Sequence, residues 1–197
     1  FYEYAAQLDG SKSADDLAFL RNEREFFNHQ MVEIENGHFG KTIVRNFLHD
    51  AFNFLFYTKL SESKDETLAA LAAKSLKEVK YHLRHSTNWL IRLGDGTEES
   101  NAKVQESLEE IWQFTAELFE MDEIDTELLN SRIAVDNKAL KTQWDEIVNS
   151  TLKKAKLKRP EDGYMATGGK KGMHTEYLGF LLAEMQFLQR AYPDAKW

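Results

Sequence analysis

Cysteine is absent from the 197-residue chain. That excludes a disulfide framework, a thiolate nucleophile, and zinc or iron–sulfur sites built on Cys. Proline occurs twice and glycine ten times, too few for a chain of many short strands and turns, so long uninterrupted elements are expected. No apolar run reaches the roughly 20 residues that span a bilayer, and no signal-peptide pattern opens the sequence. A basic excess is also lacking: 25 Lys and Arg stand against 33 Asp and Glu, a net charge of −8. This argues against generic nucleic-acid binding and favours solubility. The 42% apolar content supports a sizeable core, in one domain or two small ones. A start methionine is missing too. Phe1–Ala6 reads as the last turns of a helix already under way, so the chain is expected to be N-terminally incomplete.

Helical periodicity runs through the rest. Phe1–Leu8 reads as a helix tail and Asp9–Ser13 as a turn. Asp15–Asn28 is expected to be helical, with Leu17, Leu20 and Arg24 spaced by three and four. Met31–His38 reads as irregular. Phe39–Leu60 is a long helix: Ile43, Phe47, Asp50, Phe54 and Tyr57 share one face, while Val44, Leu48, Phe52, Leu55 and Phe56 cover the other sides. A helix apolar nearly all round is central to its fold. That places Asp50 inside, and a buried carboxylate needs a partner or a proton.

After a short turn, Leu68–Leu93 is the longest clear helix. Its inward face is expected to carry Leu68, Ala72, Ser75, Val79, His82, Ser86, Trp89 and Leu93, with Glu78 at the flank. Ser100–Phe119 follows, burying Val104, Leu108, Ile111, Trp112, Thr115 and Leu118. Asn137–Lys156 buries Leu140, Trp144, Ile147 and Leu152. Met173–Tyr192 buries Leu178, Leu181, Met185 and Leu188. No strand pair or repeat emerges. The pattern predicts an all-α, antiparallel helical bundle in which Phe39–Leu60 and Leu68–Leu93 are neighbours.

Four constellations bear on chemistry. Asp50 and His82, on adjacent helices, match half of the pattern of a carboxylate-rich di-iron site, which needs Glu three residues before the histidine. Val79 stands there, and Glu78 is one step off. Because one missing ligand greatly weakens a hard-metal site, the expected arrangement is a buried hydrogen-bonded Asp–His or Asp–Lys pair left in the core. Gly168, Gly169, Lys170, Lys171 and Gly172 form a glycine-rich basic loop before the last helix. Such backbone can offer N–H groups to a phosphate or a partner's carboxylates, or can simply make a tight turn; P-loop spacing is absent. His174-Thr175-Glu176 reads as helix capping rather than acid–base chemistry. The acidic run Glu117–Glu127 lacks calcium-loop spacing and reads as a solvated face or an interface rim.

A longer likeness covers essentially the whole chain. Lys77-Glu78-x-x-Tyr81-His82-Leu83-Arg84, Trp89-Leu90-x-Arg92-Leu93-Gly94, Trp112-x-Phe114-Thr115-Ala116-Glu117-Leu118-Phe119, Thr167–Glu176 and Ala183-Glu184-Met185-Gln186-x-Leu188-Gln189-Arg190 resemble the C subunits of bacterial phenylacetyl-CoA 1,2-epoxidases. These belong to multicomponent monooxygenases of aerobic phenylacetate degradation. The resemblance implies a ferritin-like bundle whose family begins two helices further upstream. It implies a structural subunit paired with a catalytic A subunit that holds the di-iron centre, with a separate reductase supplying electrons and phenylacetyl-CoA as substrate of the complex.

The positions matching the metal motif are Asp50, Val79 and His82, and Val79 leaves them vestigial. No catalytic, cofactor or metal residue is therefore expected in this chain. The expectations are a single ferritin-like domain over residues 1–197, a non-catalytic role in the cytoplasm, and no nucleic-acid or membrane partner. Gly168, Gly169, Lys170 and Lys171 are expected to contact CoA phosphates or the partner. The alternatives are a di-iron oxygenase or oxidase with a shifted site using Glu78, and an acyl-CoA-binding module.

Overall fold

In a computed structural model, which describes residues 1–193 and 195, every regular element is helical, and no strand occurs among the described residues. The α-helices are α1 (Tyr2–Asp9), α2 (Phe39–Leu60), α3 (Glu66–Gly94), α4 (Glu98–Trp112), α5 (Glu123–Asn130), α6 (Asn137–Lys154) and α7 (Tyr177–Ala191). Among the described residues no helix is long and apolar enough to cross a membrane. The chain divides into two compact units, residues 36–166 and residues 1–35 with 167–197.

The larger unit is an antiparallel helical bundle of the ferritin-like kind, organised on α2. That helix packs against α3, α4 and α6, as its nearly continuous apolar surface predicts. Ile43, Val44, Phe47, Leu48, Ala51 and Phe52 are buried along it. Side-chain caps set the helix starts. His38 Nδ1 accepts from the Lys41 amide at 3.2 Å, and Asp65 accepts from Leu68 at 2.9 Å. Thr97 and Ser100 close a capping box on α4, and Asp136 accepts from Ala139 at 3.1 Å. Each satisfies an amide that has no partner within its helix.

Aromatic packing joins α4 and α6. The rings of Trp112 and Trp144 lie 5.8 Å apart, and Phe119 meets Trp144 edge-on at 5.4 Å. Trp144 Nε1 donates to the Leu48 carbonyl at 3.0 Å, so the largest buried side chain of α6 is also oriented against α2. Gly94, the last residue of α3, lies against Ala155, and a Cβ there would run into the Ala155 carbonyl.

Some expected helices are shorter. Ser100–Phe119 is α4 up to Trp112, followed by a 3-10 turn over Ala116–Phe119. Glu117 in that turn is fully buried, which corrects the reading of the whole acidic run as solvated. Glu123, Asp125 and Glu127 of the run lie in α5, where they are exposed or half-buried.

In the smaller unit, Asp15–Asn28 is not one helix. A π-helical turn (Asp16–Leu20) and a 3-10 turn (Glu23–Glu25) are separated by extended backbone at Arg21 and Asn22. Asn22 and Glu25 form a capping box, so a new helical start interrupts the old one. The last helix begins at Tyr177 rather than Met173, and it buries Leu178, Leu182 and Gln186. Leu181 and Leu188 are exposed instead. Gln186 explains the phase: its Nε2 donates to the Arg21 carbonyl at 2.7 Å and its Oε1 accepts from Arg190 at 2.9 Å.

Candidate functional site

The neighbouring helices α2 and α3 bring Asp50 and His82, two of the three proposed ligand positions, to one cleft, but with a different set of contacts. Val79 is buried, 8% exposed. His82 is exposed, which corrects its expected inward orientation. The buried stripe of α3 runs through Ala72, Val79, Ser86 and Leu90 and is narrow. His82 lies at its edge, where an imidazole keeps its hydration. Glu78 is exposed as well and does not line the cleft.

The partner of Asp50 is Ser86. Its hydroxyl donates to Asp50 Oδ2 at 2.8 Å and lies 3.0 Å from the His82 carbonyl. Burial pushes the Asp50 carboxyl above its ordinary range. The Ser86 hydrogen bond, and then the charges of His82 and His85, pull it back in part. Serine has one proton to give. It goes to Oδ2 when Asp50 is ionised. When Asp50 is protonated, the carboxyl can donate to Oγ and the hydroxyl to the His82 carbonyl.

Asp50, Ser86, His82, His85, Tyr81 and Asn46 line an open cleft of about 450 Å³. The Tyr81 ring stacks beside His85, with centroids 6.2 Å apart. A di-iron centre needs carboxylates and histidines converging from several helices. Here Val79 supplies no donor atom and His82 turns outward. Among the described residues no group of three or more His, Asp or Glu is placed to hold a metal ion. These residues do not fit a di-iron centre.

The glycine-rich loop is a tight turn. Gly168 and Gly172 have φ of 107° and 70°, flanking a 3-10 turn over Gly169–Lys171. The amides of Lys171 and Met173 donate to the Gly168 carbonyl, and that of Gly172 to Gly169. Those N–H groups bond within the turn. A Cβ on Gly172 would come within 2.7 Å of the Arg24 carbonyl, a close approach that only glycine allows. Lys170 is half-buried and Lys171 exposed.

The tightest polar cluster lies just beyond this loop. Glu33 Oε1 meets His174 Nδ1 at 2.6 Å and accepts from Asn28 Nδ2 at 2.7 Å. Its Oε2 accepts from the Thr175 amide at 2.8 Å and hydroxyl at 2.9 Å. His174 Nε2 donates to the Phe26 carbonyl at 3.0 Å. With that proton committed, the remaining proton is held between Nδ1 and Oε1. Thr175 is therefore a donor to Glu33, and no side chain caps α7, contrary to the capping expectation. His174 stands out in the sequence, whereas Glu33 is marked by no local motif and was missed there.

Similarity to known proteins gives this arrangement its context. The family model described as phenylacetic acid catabolic protein matches residues 1–197. The C subunit of the 1,2-phenylacetyl-CoA epoxidase of Escherichia coli (strain K12) is 48% identical over 197 residues, covering 100% of this chain and 79% of that protein.

Proposed function

The chain belongs to the phenylacetic acid catabolic protein family, and from that membership we propose that it is the non-catalytic C subunit of a cytoplasmic, multicomponent phenylacetyl-CoA 1,2-epoxidase, where it stabilises the di-iron catalytic subunit. The observation that carries this reading is Val79: a buried hydrocarbon side chain occupies the position where the motif requires a carboxylate ligand. Iron then belongs to the partner, electrons come from a separate reductase, and phenylacetyl-CoA is substrate of the assembled complex. The contribution of this chain is burial of helix faces against the partner. Exposed Phe180 and Phe187 of α7 are suited to such a contact. Gly168, Gly169, Lys170 and Lys171 are proposed to meet the partner or the CoA phosphates through the two ammonium groups.

Co-expression with and without the candidate catalytic subunit tests the assignment. The partner's solubility and iron content are expected to rise when this chain is present, and the purified chain is expected to carry no stoichiometric iron. Stoichiometric iron with oxygen-dependent turnover in the isolated chain would sink the scaffold reading. For the loop, the double variant Lys170→Ala, Lys171→Ala is compared for acyl-CoA affinity and for assembly. Loss of assembly alone would assign the loop to the partner.

A further inference from the structure

Two non-glycine residues among those described hold a positive φ: Arg132 at 62° and Lys156 at 55°. Each follows the C-cap residue of a helix, Arg132 after α5 and Lys156 after α6. The bonding is of the Schellman kind at both. Ile133 donates back to Leu128 and Arg132 to Leu129, while Leu157 donates to Leu152 and Lys156 to Lys153. Glycine is the favoured residue at this position, because a Cβ is strained in the left-handed region.

Lys156 has a local reason to be there. Its ammonium pairs with Asp95. Arg132 has none. Its backbone bonds are ones glycine would make equally well, and its guanidinium has no hydrogen-bond or ion-pair partner among the described residues. What Arg132 adds over glycine is a side chain at the mouth of a cleft.

That cleft measures about 440 Å³, within the range of small-molecule sites. Lys59 stands with Arg132 on its lining, and Leu129, Val135, Ala139 and Leu140 give it an apolar floor. The two acids nearby are already engaged. Asp136 accepts from the Ala139 amide, and Glu62 is loosely paired with Lys59 at 3.5 Å. Of the four charged side chains on this lining, Arg132 alone makes no hydrogen bond or ion pair among the described residues.

We propose that this cleft binds a small organic acid, with a carboxylate or phosphate group held by Arg132 and Lys59 and an apolar body resting on the Leu129–Leu140 floor. The fork of a guanidinium matches both oxyanions. The site is separate from the Asp50 cleft and does not depend on the assembly reading.

Calorimetric titration of the full chain with sodium phenylacetate, coenzyme A and inorganic phosphate, each alone, tests the proposal. Saturable binding of at least one probe is expected. Arg132→Gly should weaken it by about tenfold or more, the contribution of a charge-assisted hydrogen bond, and Lys59→Ala should weaken it as well. Arg132→Gly places the favoured residue at a left-handed position, so the variant is expected to fold, which circular dichroism checks. Saturation by phenylacetate assigns the carboxylate. Saturation by coenzyme A or phosphate without phenylacetate assigns a phosphate group. Saturation by none of the three, or equal affinity in Arg132→Gly, overturns the proposal. Binding is read on this chain alone, so failure here leaves the assembly assignment untouched.

Discussion

Glu33 Oε1 and His174 Nδ1 stand 2.6 Å apart across 141 positions of sequence, and each side chain is 1% exposed. The contact ties Glu33, just after a 3-10 turn, to the residues that lead into α7. Its place in the fold is to fix where α7 begins: with the Thr175 amide and hydroxyl both donating to Glu33, the helix starts at Tyr177.

Glu33→Gln is expected to destabilise the smaller unit by about 1–3 kcal/mol, the cost of leaving a buried hydrogen-bond partner unsatisfied. An amide keeps one accepting oxygen, whereas the carboxylate offers two. Urea denaturation gives the size of the effect, and hydrogen exchange gives its place. Protection should fall first at Thr175 and Leu178. Unchanged protection there would remove Glu33 from this role.

Asp50 predicts a pH dependence of the opposite sense to a salt-bridged acid. Burial raises its carboxyl above the ordinary range in the folded chain, so the folded state holds this proton more tightly than the unfolded one. Below the ordinary carboxylate range Asp50 is protonated in both states and no stability is lost. As pH rises from that range through the folded value, ionisation opposes folding and stability falls. Asp50→Asn keeps an acceptor for Ser86 and removes the charge. Its denaturation midpoint should exceed the parent's near pH 7 and match it near pH 3, below the ~3.9 of an unperturbed aspartate. An equal offset at both values would show that ionisation of Asp50 is not the cause.

Much of the bundle was legible because apolar residues repeat with helical period and glycine and proline are scarce. Phe39–Leu60 has the predicted bounds, and Leu68–Leu93 extends to Glu66–Gly94. Side-chain phase was less legible. Periodicity gives the direction a residue points, whereas the width of the buried stripe depends on the neighbouring helix. His82 sits at that margin, three residues from Val79 and four from Ser86, and falls outside it. The split of Asp15–Asn28 carried a readable signal, the Asn22–Glu25 capping box, hidden among residues that all favour helix. Glu33 carried none, since its meaning comes from a partner brought in by tertiary folding.

Gly94→Ala is expected to destabilise the bundle by about 2–3 kcal/mol, in the upper range for overpacking. Although alanine is the better helix former, the added Cβ would meet backbone at the Ala155 carbonyl and lie 2.9 Å from the Ala155 Cβ. Neither atom can rotate away. The change is expected in the melting temperature, with no loss of helical circular dichroism at low temperature. A variant that melts above the parent would show that the end of α3 moves freely against α6.

Val79→Glu separates a missing ligand from a missing site. The substitution writes Glu-x-x-His over residues 79–82, the spacing of a di-iron helix. If one lost carboxylate were all that disabled the centre, Fe(II) loaded without oxygen would remain after desalting. The geometry argues otherwise. Val79 is buried, so a carboxylate there either takes up a proton or costs about 3 kcal/mol. His82 would still point outward, and two helices would still supply every donor. The expected result is a lower melting temperature and iron at background by elemental analysis. Stoichiometric iron in Val79→Glu would mean that the bundle retains a complete set of further ligands, and the view of α3 as a packing element would fall with it.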